Sequence, residues 1–438
     1  MQQNIFELTR ERFKFDKDTP IKVFESFSGV GMQLLALNRL GVKYESVGYS
    51  EIDKYAINSY KAIHGNGNNY GDICKIKGIE LPKIDLFTYS FPCTDLSKAG
   101  QQKGLNNTRS GLVYEVLRII QELKDKNSLP KVLLMENVVD LVQVKFIKQF
   151  NKIQAELEEL GYSNYVQTLN AKDYGVAQNR DRVFMVSILG DYYYEFPKPV
   201  KLEKRLKDYL QPLEEIEDKY FITDYEKIFK INDFYSELKG GKWDKLHDIG
   251  KRVYSSGYIS PTIHTMQGGN LEPKISYALG SREHQARGWL DESPTLCARD
   301  YKDPKVILQP VEPLCLNSKV NGKQPSLQNR VYSTETISTC ITSSFLPSIL
   351  QVSRGFNKGS KLKTYPSITA NSWQENNFIK QNNHIIRKLT PLECWRLMGI
   401  DDIDFYKAQK VCSNSQLYKQ AGNGIVIDVL MNIFKQLC

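Results

Sequence analysis

A cysteine follows an apolar stretch in the segment IDLFTYSFPCTDLSKAG, residues 84–100. The β-branched and aromatic residues before Pro92 predict a strand, so Cys93 would lie in a turn at the strand's carboxyl end. A cysteine is most often a small apolar residue of the core. Close to helix N-termini, however, its thiolate would have a lowered pKa and act as a nucleophile. The polar residues and glycines that follow suit a loop that closes over a substrate.

An acid follows a second apolar run, in the segment LLMENVVDL. Glu136 comes directly after this run, and partial burial at a strand end would raise its pKa, so that it could donate a proton near neutral pH. A solvated acid at a strand end is the alternative. The next residue, Asn137, is expected to fix the turn.

Three polar residues alternate in the segment QNRDRVFMV, namely Gln178, Arg180 and Arg182. Because successive side chains of a strand point to opposite faces, these three are expected on one face. Two guanidinium groups and an amide at a sheet edge would form a clamp for an anion or for the edge of a base. A charged turn is the alternative.

A glycine-containing loop, FESFSGVGM, lies nearer the N-terminus. Its apolar run ends at Phe27, and the loop before the next helix would let a ligand approach backbone N–H groups. Glu51 and Asp53 follow about 20 residues later, at a predicted strand end where an acid usually binds ribose hydroxyls. Asp72 is expected at a third strand end, where it would suit the amino group of a base. The alternative for each acid is a helix cap.

The elements that must position these residues are short apolar runs that alternate with helix-like stretches between residues 21 and 189. Strands that alternate with helices predict βαβ units and a mostly parallel sheet covered on both faces. Ligands of such sheets collect at the carboxyl ends of the strands. The sequence therefore predicts an α/β fold with the candidate residues at one edge.

The pattern changes after the prolines at 197 and 199, where a charged stretch predicts a linker that leads into a connecting helix. Residues 240–380 lack long helical periodicity and repeat a phrase that begins as RVYSSGYISPTIHT. The copies predict repeated hairpin-like units, with chance recurrence in a β-rich segment as the alternative. They are found at residues 252–275, 287–307, 330–350 and 359–379. Helical periodicity then returns, which predicts that the end of the chain packs back onto the first domain.

The composition limits the class of protein. A chain of 438 residues exceeds what one core usually serves, which predicts two domains, and 41% hydrophobic residues exclude a disordered chain. The sequence contains no apolar run of about 18 residues, the length that spans a bilayer, and no readable secretory signal, so the cytoplasm is expected. The eight cysteines and five histidines lack zinc-ligand spacing, so neither a metal site nor a disulfide framework is expected.

The positive charge is concentrated in one part of the chain. The net charge is +9, and residues 251–380 hold 16 Lys and Arg against 9 Asp and Glu. Basic charge concentrated in this way indicates a polyanion such as nucleic acid as partner, with a solvated surface as the alternative.

Taken in order, these segments resemble the DNA (cytosine-5)-methyltransferases of bacteria and their phages. The ordered Pro-Cys, E-N-V and Q-x-R-x-R segments make the resemblance specific, whereas the glycine loop alone would not. It covers about residues 1–195 and 385–438. Phe91 stands for the usual proline, Ile52 for an aromatic residue and Gly424 for a common serine, but no catalytic group is missing. The matching segments are FSGVGM, Glu51, Pro92-Cys93, residues 136–138, residues 178–182 and residues 422–426.

The resemblance implies transfer of a methyl group from S-adenosylmethionine to C5 of a flipped cytosine. It makes Cys93 the nucleophile that bonds to C6 and places Glu136 at N3. Arg182 and Arg180 would orient Glu136 and the cytosine O2. No metal is implied. The implied cofactor contacts are Phe27, Ser28, Gly29, Val30, Gly31, Glu51, Ile52, Asp72, Ile73, Pro92, Leu112, Asn423, Gly424 and Ile425.

The resemblance also implies the domain organisation. A Rossmann-like methyltransferase sheet would occupy residues 1–195, and an irregular β-rich target-recognition domain residues 196–385. Residues 386–438 would pack back onto the catalytic domain. Double-stranded DNA is the expected partner, together with a restriction endonuclease of the same site, where one exists, that makes no direct contact. No membrane partner is expected. The expected DNA contacts are Ser97, Gln101, Gln267 and Arg299.

Two alternatives remain open at this point. The tRNA cytosine-5 methyltransferases share the catalytic motifs, although the basic insert at 196–385 is larger than a small tRNA-binding region needs. A catalytically silent DNA-binding or cofactor-sensing protein is the second alternative. The intact set of Cys93, Glu136 and Arg182 argues against it, and activity would decide.

Overall fold

A computed structural model describes most of the first half of the chain and its C-terminal end. Cys93, Ser97, Gln101, Gln267 and Arg299 lie outside the described residues. The described residues are 10–92, 109–222, 227–232, 234–266, 271–278, 348–351, 360–362, 377–380 and 384–438.

The described contacts divide the chain into two units. The predicted domain boundaries at 195 and 385 stay a prediction, since much of the recognition segment is outside the described residues. The first unit comprises Met1–Ile216, Asp224–Ile275 and Lys388–Cys438, and the second comprises Glu217–Thr223 and Ser276–Arg387.

A six-stranded sheet is the centre of the first unit, with the strand order β2-β1-β3-β4-β6-β5. Strands β1 to β4 are parallel, whereas β6 runs antiparallel to both β4 and β5. The prediction of a mostly parallel α/β sheet is confirmed. The strands are β1 (Ile21–Ser26), β2 (Tyr44–Ser50), β3 (Leu86–Tyr89), β4 (Val132–Asn137), β5 (Tyr162–Asn170) and β6 (Asp181–Leu189).

Helices connect the strands and cover the sheet. Helix α2 begins at an Asp53 cap, whose carboxylate accepts hydrogen bonds from the N–H groups of Tyr55 and Ala56. It ends at Gly65, whose φ of 84° suits glycine. No helix in the described part of the chain has the length and apolar content needed to cross a membrane. The helices are α1 (Met32–Arg39), α2 (Lys54–His64), α3 (Val113–Asp125), α4 (Ile147–Glu159), α5 (Asp248–Lys251), α6 (Pro391–Arg396), α7 (Asp402–Gln409), α8 (Asn414–Asn423) and α9 (Ile427–Leu437).

The C-terminal helices contact the same unit as the sheet. The N–H of Phe15 donates to the carbonyl of Leu437 at 2.7 Å. The hydroxyl of Ser59 on α2 donates to Oε1 of Gln420 on α8 at 3.0 Å. The end of the chain therefore packs onto the sheet and its helices, as the returning helical periodicity predicts.

The connecting helix predicted after residue 199 is wrong. The structure has short 3-10 turns there, at Leu206–Tyr209, Leu213–Glu215 and Asp218–Tyr220. Pro212 interrupts the stretch, and a proline in a helix interior costs about 3 kcal/mol, so one continuous helix is not favoured.

The remaining strands belong to smaller sheets. In the first unit, β7, β8 and β9 pair antiparallel in that order. In the second unit, β11 pairs antiparallel with both β12 and β13. Most of the last three repeats is outside the described residues, so hairpin-like units stay a prediction. The strands are β7 (Lys227–Lys230), β8 (Tyr235–Lys239), β9 (Arg252–Ser255), β10 (Lys274–Ala278), β11 (Ser348–Gln351), β12 (Ser360–Leu362), β13 (Asn377–Lys380) and β14 (His384–Lys388).

Strand β1 carries a fully buried carboxyl group that makes stability depend on pH. Burial raises the pKa of Glu25 from its usual 4.5 to about 8, against the lowering effect of a hydrogen bond from Tyr60. The folded protein therefore holds this proton more tightly than the unfolded chain, and stability falls as pH rises from about 4.5 to about 8. We expect Glu25→Gln to flatten this part of the profile.

Thermal unfolding midpoints of wild type and Glu25→Gln, measured in steps from pH 5 to pH 9, check this expectation. The glutamine keeps an oxygen that can accept from Tyr60, so the two proteins should differ mainly at the alkaline end. Parallel profiles for both proteins would contradict it.

Candidate active site at the carboxyl ends of the strands

Glu136 and Arg182 form an ion pair at the end of two neighbouring strands. Glu136 is the penultimate residue of β4 and pairs with Phe184 of β6, and Arg182 is the second residue of β6. Nε of Arg182 is 3.1 Å from Oε1 of Glu136. The structure thus brings together two of the predicted catalytic residues, although they are distant in sequence.

Glu136 is more buried than the sequence predicts, with only 7% of its surface exposed. Burial raises its pKa, while the charges of Arg182 and Arg180 lower it. The expected direction of the pKa shift is confirmed. A carboxyl group in this environment holds a proton at higher pH than an exposed one and can donate a hydrogen bond to a substrate.

Asn137 joins the ends of β3 and β4. Its Nδ2 donates to the carbonyl of Phe91 at 3.1 Å, and its Oδ1 accepts from the N–H of Val138 at 2.8 Å. Asn137 therefore fixes two turns, including the one that enters Pro92, the last described residue before Cys93. This hydrogen bond brings the start of the cysteine segment to the strand end that carries Glu136.

The loop after β1 has the strained backbone expected of a ligand-binding turn. Phe27, Gly29 and Gly31 all have positive φ, at 55°, 56° and 80°. Such values suit glycine, and a phenylalanine at φ 55° marks a strained position of the kind found at ligand sites. Among the described residues, the buried hydroxyl of Ser28 has no hydrogen-bond partner.

Glu51 at the end of β2 organises this loop. Its Oε2 accepts from the N–H of Gly29 at 2.9 Å. Its Oε1 accepts from the N–H groups of Ile52 and Asp53 at 2.8 and 2.9 Å. Beside it, the Ile52 side chain is 73% exposed, although it is large and apolar. Asp53 is a helix cap and pairs with Lys419, so the capping alternative holds for this residue.

Asp72 does not lie at a strand end, so that prediction is wrong. It caps the 3-10 turn Ile73–Lys75 and accepts from the N–H of Cys74 at 3.0 Å. This turn belongs to the connection between α2 and β3. The residues before it form only an isolated bridge, between Tyr49 and Asn69. The glycines and asparagines of residues 65–71 favour turns over a strand.

Asn69 is a functional candidate that the sequence analysis missed. Its Oδ1 accepts from the N–H groups of Glu51 and Gly71, and its Nδ2 donates to the carbonyl of Glu51 at 3.0 Å. It therefore holds the end of β2 against the turn that leads to Asp72. An asparagine in an Asn- and Gly-rich turn gives no periodic signal, so only the fold identifies it.

Three predicted cofactor contacts are partly or fully buried. Ile73 belongs to the hydrophobic core, which leaves its backbone as the part able to meet a ligand, and Leu112 packs against the same core. Ile425 is 5% exposed. A cofactor role for these residues stays a prediction, as it does for Val30 and Pro92.

Gln178 and Arg180 precede β6, so the expectation that they share one strand face with Arg182 is wrong. Gln178 is fully buried; its Nε2 donates to the carbonyl of Leu397 at 2.8 Å and its Oε1 accepts from the N–H of Ile263 at 3.2 Å. Because both its amide nitrogen and its amide oxygen are hydrogen-bonded, Gln178 links two segments that are distant in sequence.

Arg180 joins the loop before β6 to the C-terminal motif. Its guanidinium donates to the carbonyls of Ile263 at 2.8 Å, Gly422 at 2.9 Å and Gly424 at 2.8 Å. Gly422 also lies so close to His264 that a Cβ would be 2.4 Å from the backbone carbon of that residue. Arg180 and Gly422 thereby fix residues 263 and 264 beside the loop that leads into β6, and Asn423, which ends α8, is exposed.

Gly424 contacts the end of a flexible side chain. A Cβ at this position would lie 2.4 Å from Cε of Met32, the first residue of α1. Because Cε is the far end of that side chain, a rotamer change of Met32 would make room for the serine common in the resembling family.

Asn170 supports the turn that carries Arg180. Its Oδ1 accepts from the N–H groups of Lys172 and Arg180, at 3.1 and 3.3 Å. Its Nδ2 donates to Oδ1 of Asn179 and of Asp181, both at 2.8 Å. A side chain that uses both of its polar atoms in this way sets the register just before Arg182.

In the described ranges, no group of three or more His, Cys, Asp or Glu could hold a metal ion.

Comparisons with known proteins agree with this arrangement. Residues 21–438 match the family described as C-5 cytosine-specific DNA methylase. The orphan methyltransferase M.SPRI of Bacillus phage SPR is 31% identical, over 95% of this chain and 97% of that protein. The type II methyltransferase M.HhaI of Haemophilus parahaemolyticus is 30% identical, over 64% of this chain and 83% of that protein.

Solved structures show the same fold at low identity. The Entamoeba histolytica methyltransferase EhMeth superposes with a TM-score of 0.58 at 14% identity, covering 95% of this chain and 98% of that one. The S. pombe Dnmt2 methyltransferase gives a TM-score of 0.54 at 15% identity, covering 94% and 96%. The sheet is therefore that of a Rossmann-like methyltransferase.

Proposed function

Because the chain belongs to the C-5 cytosine-specific DNA methylase family, we propose that it methylates C5 of a flipped cytosine within a specific sequence of double-stranded DNA. The observation that carries the proposal is the buried Glu136–Arg182 pair, 3.1 Å apart, at the strand end to which Asn137 ties the start of the Cys93 segment. A donor and a nucleophile at one edge suit attack on a base that has left the duplex.

The proposed chemistry makes C5 of cytosine reactive. The Cys93 thiolate forms a bond to C6, and the electrons of the C5–C6 double bond become those of an enamine. Glu136 stabilises this change by donating its proton or a hydrogen bond to N3, and Arg182 holds Glu136 in place. S-adenosylmethionine, when bound, supplies the methyl group that C5 accepts. Removal of the C5 proton then re-forms the double bond and expels the thiolate.

The residues around the loop after β1 fit this cofactor. Glu51 lies within hydrogen-bonding distance of the loop backbone and suits ribose hydroxyls, and the exposed Ile52 offers an apolar surface to a purine. The unpartnered, buried Ser28 hydroxyl supplies a further polar atom in the described part of the loop. Together they support a binding role for the loop.

The basic charge supports DNA as the substrate. Residues 251–380 hold 16 Lys and Arg against 9 Asp and Glu, and phosphate neutralisation accounts for much of DNA affinity. We propose that residues 196–385 read the target sequence, with Gln267 and Arg299 as base contacts and Ser97 and Gln101 as contacts near the flipped base. A restriction endonuclease of the same site, acting without direct contact, is a further proposed partner, which the type II naming of some relatives supports.

Methyl transfer to defined nucleic acids tests the proposal. The purified full chain, given S-adenosylmethionine with a labelled methyl group, should label duplex DNA and leave tRNA transcripts unlabelled. Sequencing of the methylated cytosines should then show one or more short, fixed sequence contexts. Label in tRNA alone would favour the RNA alternative, whereas cofactor binding without any transfer would favour a silent binding protein.

A further inference from the structure

Two aromatic side chains of α2 lie directly behind the loop that follows β1. Nε2 of His64 is 3.0 Å from the carbonyl oxygen of Val30. The ring of Tyr60, one turn earlier on the helix, lies 4.7 Å from the ring of His64. Both belong to α2, whereas the loop belongs to the β1–α1 connection, so this contact joins separate elements.

The contact with Val30 fixes the protonation of the imidazole ring. A carbonyl oxygen only accepts hydrogen bonds, so Nε2 of His64 must carry the hydrogen. Burial lowers the pKa of His64, which favours the neutral ring with its single hydrogen on Nε2. The histidine therefore acts here as a donor to the loop backbone.

The two rings also fill the space beside Gly31. Its φ is +80°, and a Cβ there would lie 2.4 Å from Nε2 of His64 and 2.8 Å from a ring carbon of Tyr60. The loop thus approaches α2 as closely as a glycine permits. Within the described part of the chain its other side is open, since a Cβ at Gly29 would meet none of these residues' atoms within 4 Å.

Tyr60 extends the same support to the two strands that carry the candidate cofactor residues. Its hydroxyl donates to Oε2 of Glu25 on β1 at 2.8 Å. Its ring stacks on Tyr49 of β2, with centroids 3.9 Å apart and planes 22° from parallel. Tyr49 is two residues before Glu51, so α2 contacts both the loop and the strand that ends just before the acid that binds it.

Helix α2 is itself held in place by α8. The carboxylate of Asp53, at its start, is 2.6 Å from Nζ of Lys419, and the hydroxyl of Ser59 donates to Gln420. A helix fixed at its start and middle presents His64 to the loop at a defined distance.

We propose that His64 is a positioning residue for the cofactor: its Nε2–H holds the Val30 carbonyl and so fixes the backbone of the Gly29–Gly31 turn in the shape that faces the bound adenosyl ligand. This inference rests on the proposed function, since it assumes that the loop binds S-adenosylmethionine. It assigns a role to a side chain that contacts the loop from behind and does not touch the reacting atoms.

A matched pair of variants separates the hydrogen bond from simple packing. His64→Phe keeps a ring of similar size but removes the donor, whereas His64→Gln keeps an N–H donor. Affinity for S-adenosylmethionine and for S-adenosylhomocysteine is measured by calorimetry on the full chain, together with kcat, both KM values and the thermal midpoint. Lys61→Gln, on the exposed side of the same helix, is the control.

We expect His64→Phe to raise the Kd and KM for the cofactor about 10-fold, the usual effect of one lost hydrogen bond. The kcat at saturating cofactor and the KM for DNA should stay within about twofold, because the proposed role of His64 acts only through the backbone of the cofactor loop. His64→Gln should recover most of the affinity, and Lys61→Gln should match wild type.

Wild-type affinity in His64→Phe, or an equal loss in both His64 variants, would overturn the inference, since ring packing would then explain the contact. If His64→Phe does not fold, His64→Gln still decides, because a loss of affinity at an unchanged thermal midpoint contradicts rescue by a donor. A wild-type chain that binds neither cofactor form would instead overturn the proposed function.

Discussion

Glu136→Gln should lower the rate of methyl transfer about 100-fold or more, the usual contribution of a positioned proton donor. Glutamine has nearly the same shape and can still contact Arg182, but it cannot give a proton to N3 of cytosine. The loss should appear in kcat, with little change in DNA affinity, because the interaction strengthens as charge develops on the base. Single-turnover methylation and a separate DNA-binding titration measure the two effects.

The pH dependence offers a second test of the same residue. Burial raises the pKa of Glu136, so the protonated fraction grows as pH falls and shrinks as pH rises through this raised value. If the protonated form is the active one, the wild-type rate should decline on the alkaline side, and Glu136→Gln should lack that decline. Glu45→Gln, which alters an exposed acid of β2, is the control.

A variant of Glu136 that loses DNA affinity and keeps its kcat would contradict the proposed role. Glu136 would then be a structural partner of Arg182. Arg182→Lys distinguishes the cases further, because a lysine supplies charge without the planar guanidinium that orients the carboxylate. We expect it to lower kcat by less than Glu136→Gln does.

The sequence predicts the central sheet well because burial in a parallel sheet leaves a direct pattern. Strand β4 is buried at every position, so its sequence contains a continuous apolar run that ends at Glu136. The same physical rule predicts that Glu136 lies at the sheet edge and that its pKa is raised. Both the position of Glu136 and its raised pKa depend only on local burial, which the run of apolar residues in the sequence indicates.

Contacts between distant segments could not be predicted in the same way. Arg180 donates to carbonyls more than 80 residues away along the chain, and these backbone acceptors have no sequence signature. The alternation of Gln178, Arg180 and Arg182 predicts that they share one face of a strand, but the strand begins only at Asp181. In the sequence alone, His64 is only a polar residue near the end of a predicted helix. The fold shows that its ring contacts the carbonyl of Val30.

Cys93→Ser should abolish detectable methyl transfer while leaving cofactor binding unchanged. A serine hydroxyl is close in size to a thiol but remains protonated near neutral pH, so no anion is available to attack C6. In the proposed site, the affinity for S-adenosylmethionine comes from the loop after β1 and from Glu51, which this change does not alter. Labelled-methyl transfer and calorimetry on the same protein preparation measure the two properties.

Duplex DNA that carries 5-fluorocytosine at the target position tests the covalent bond itself. After thiolate addition and methylation, C5 holds fluorine in place of the proton, and because fluorine cannot leave as a proton, the elimination step cannot occur. The wild-type chain should therefore remain bonded to the DNA and migrate as a denaturant-stable complex, whereas Cys93→Ser should not. A trapped complex with the serine variant, or near wild-type turnover by it, would show that another group attacks C6 and that the mechanism is wrong.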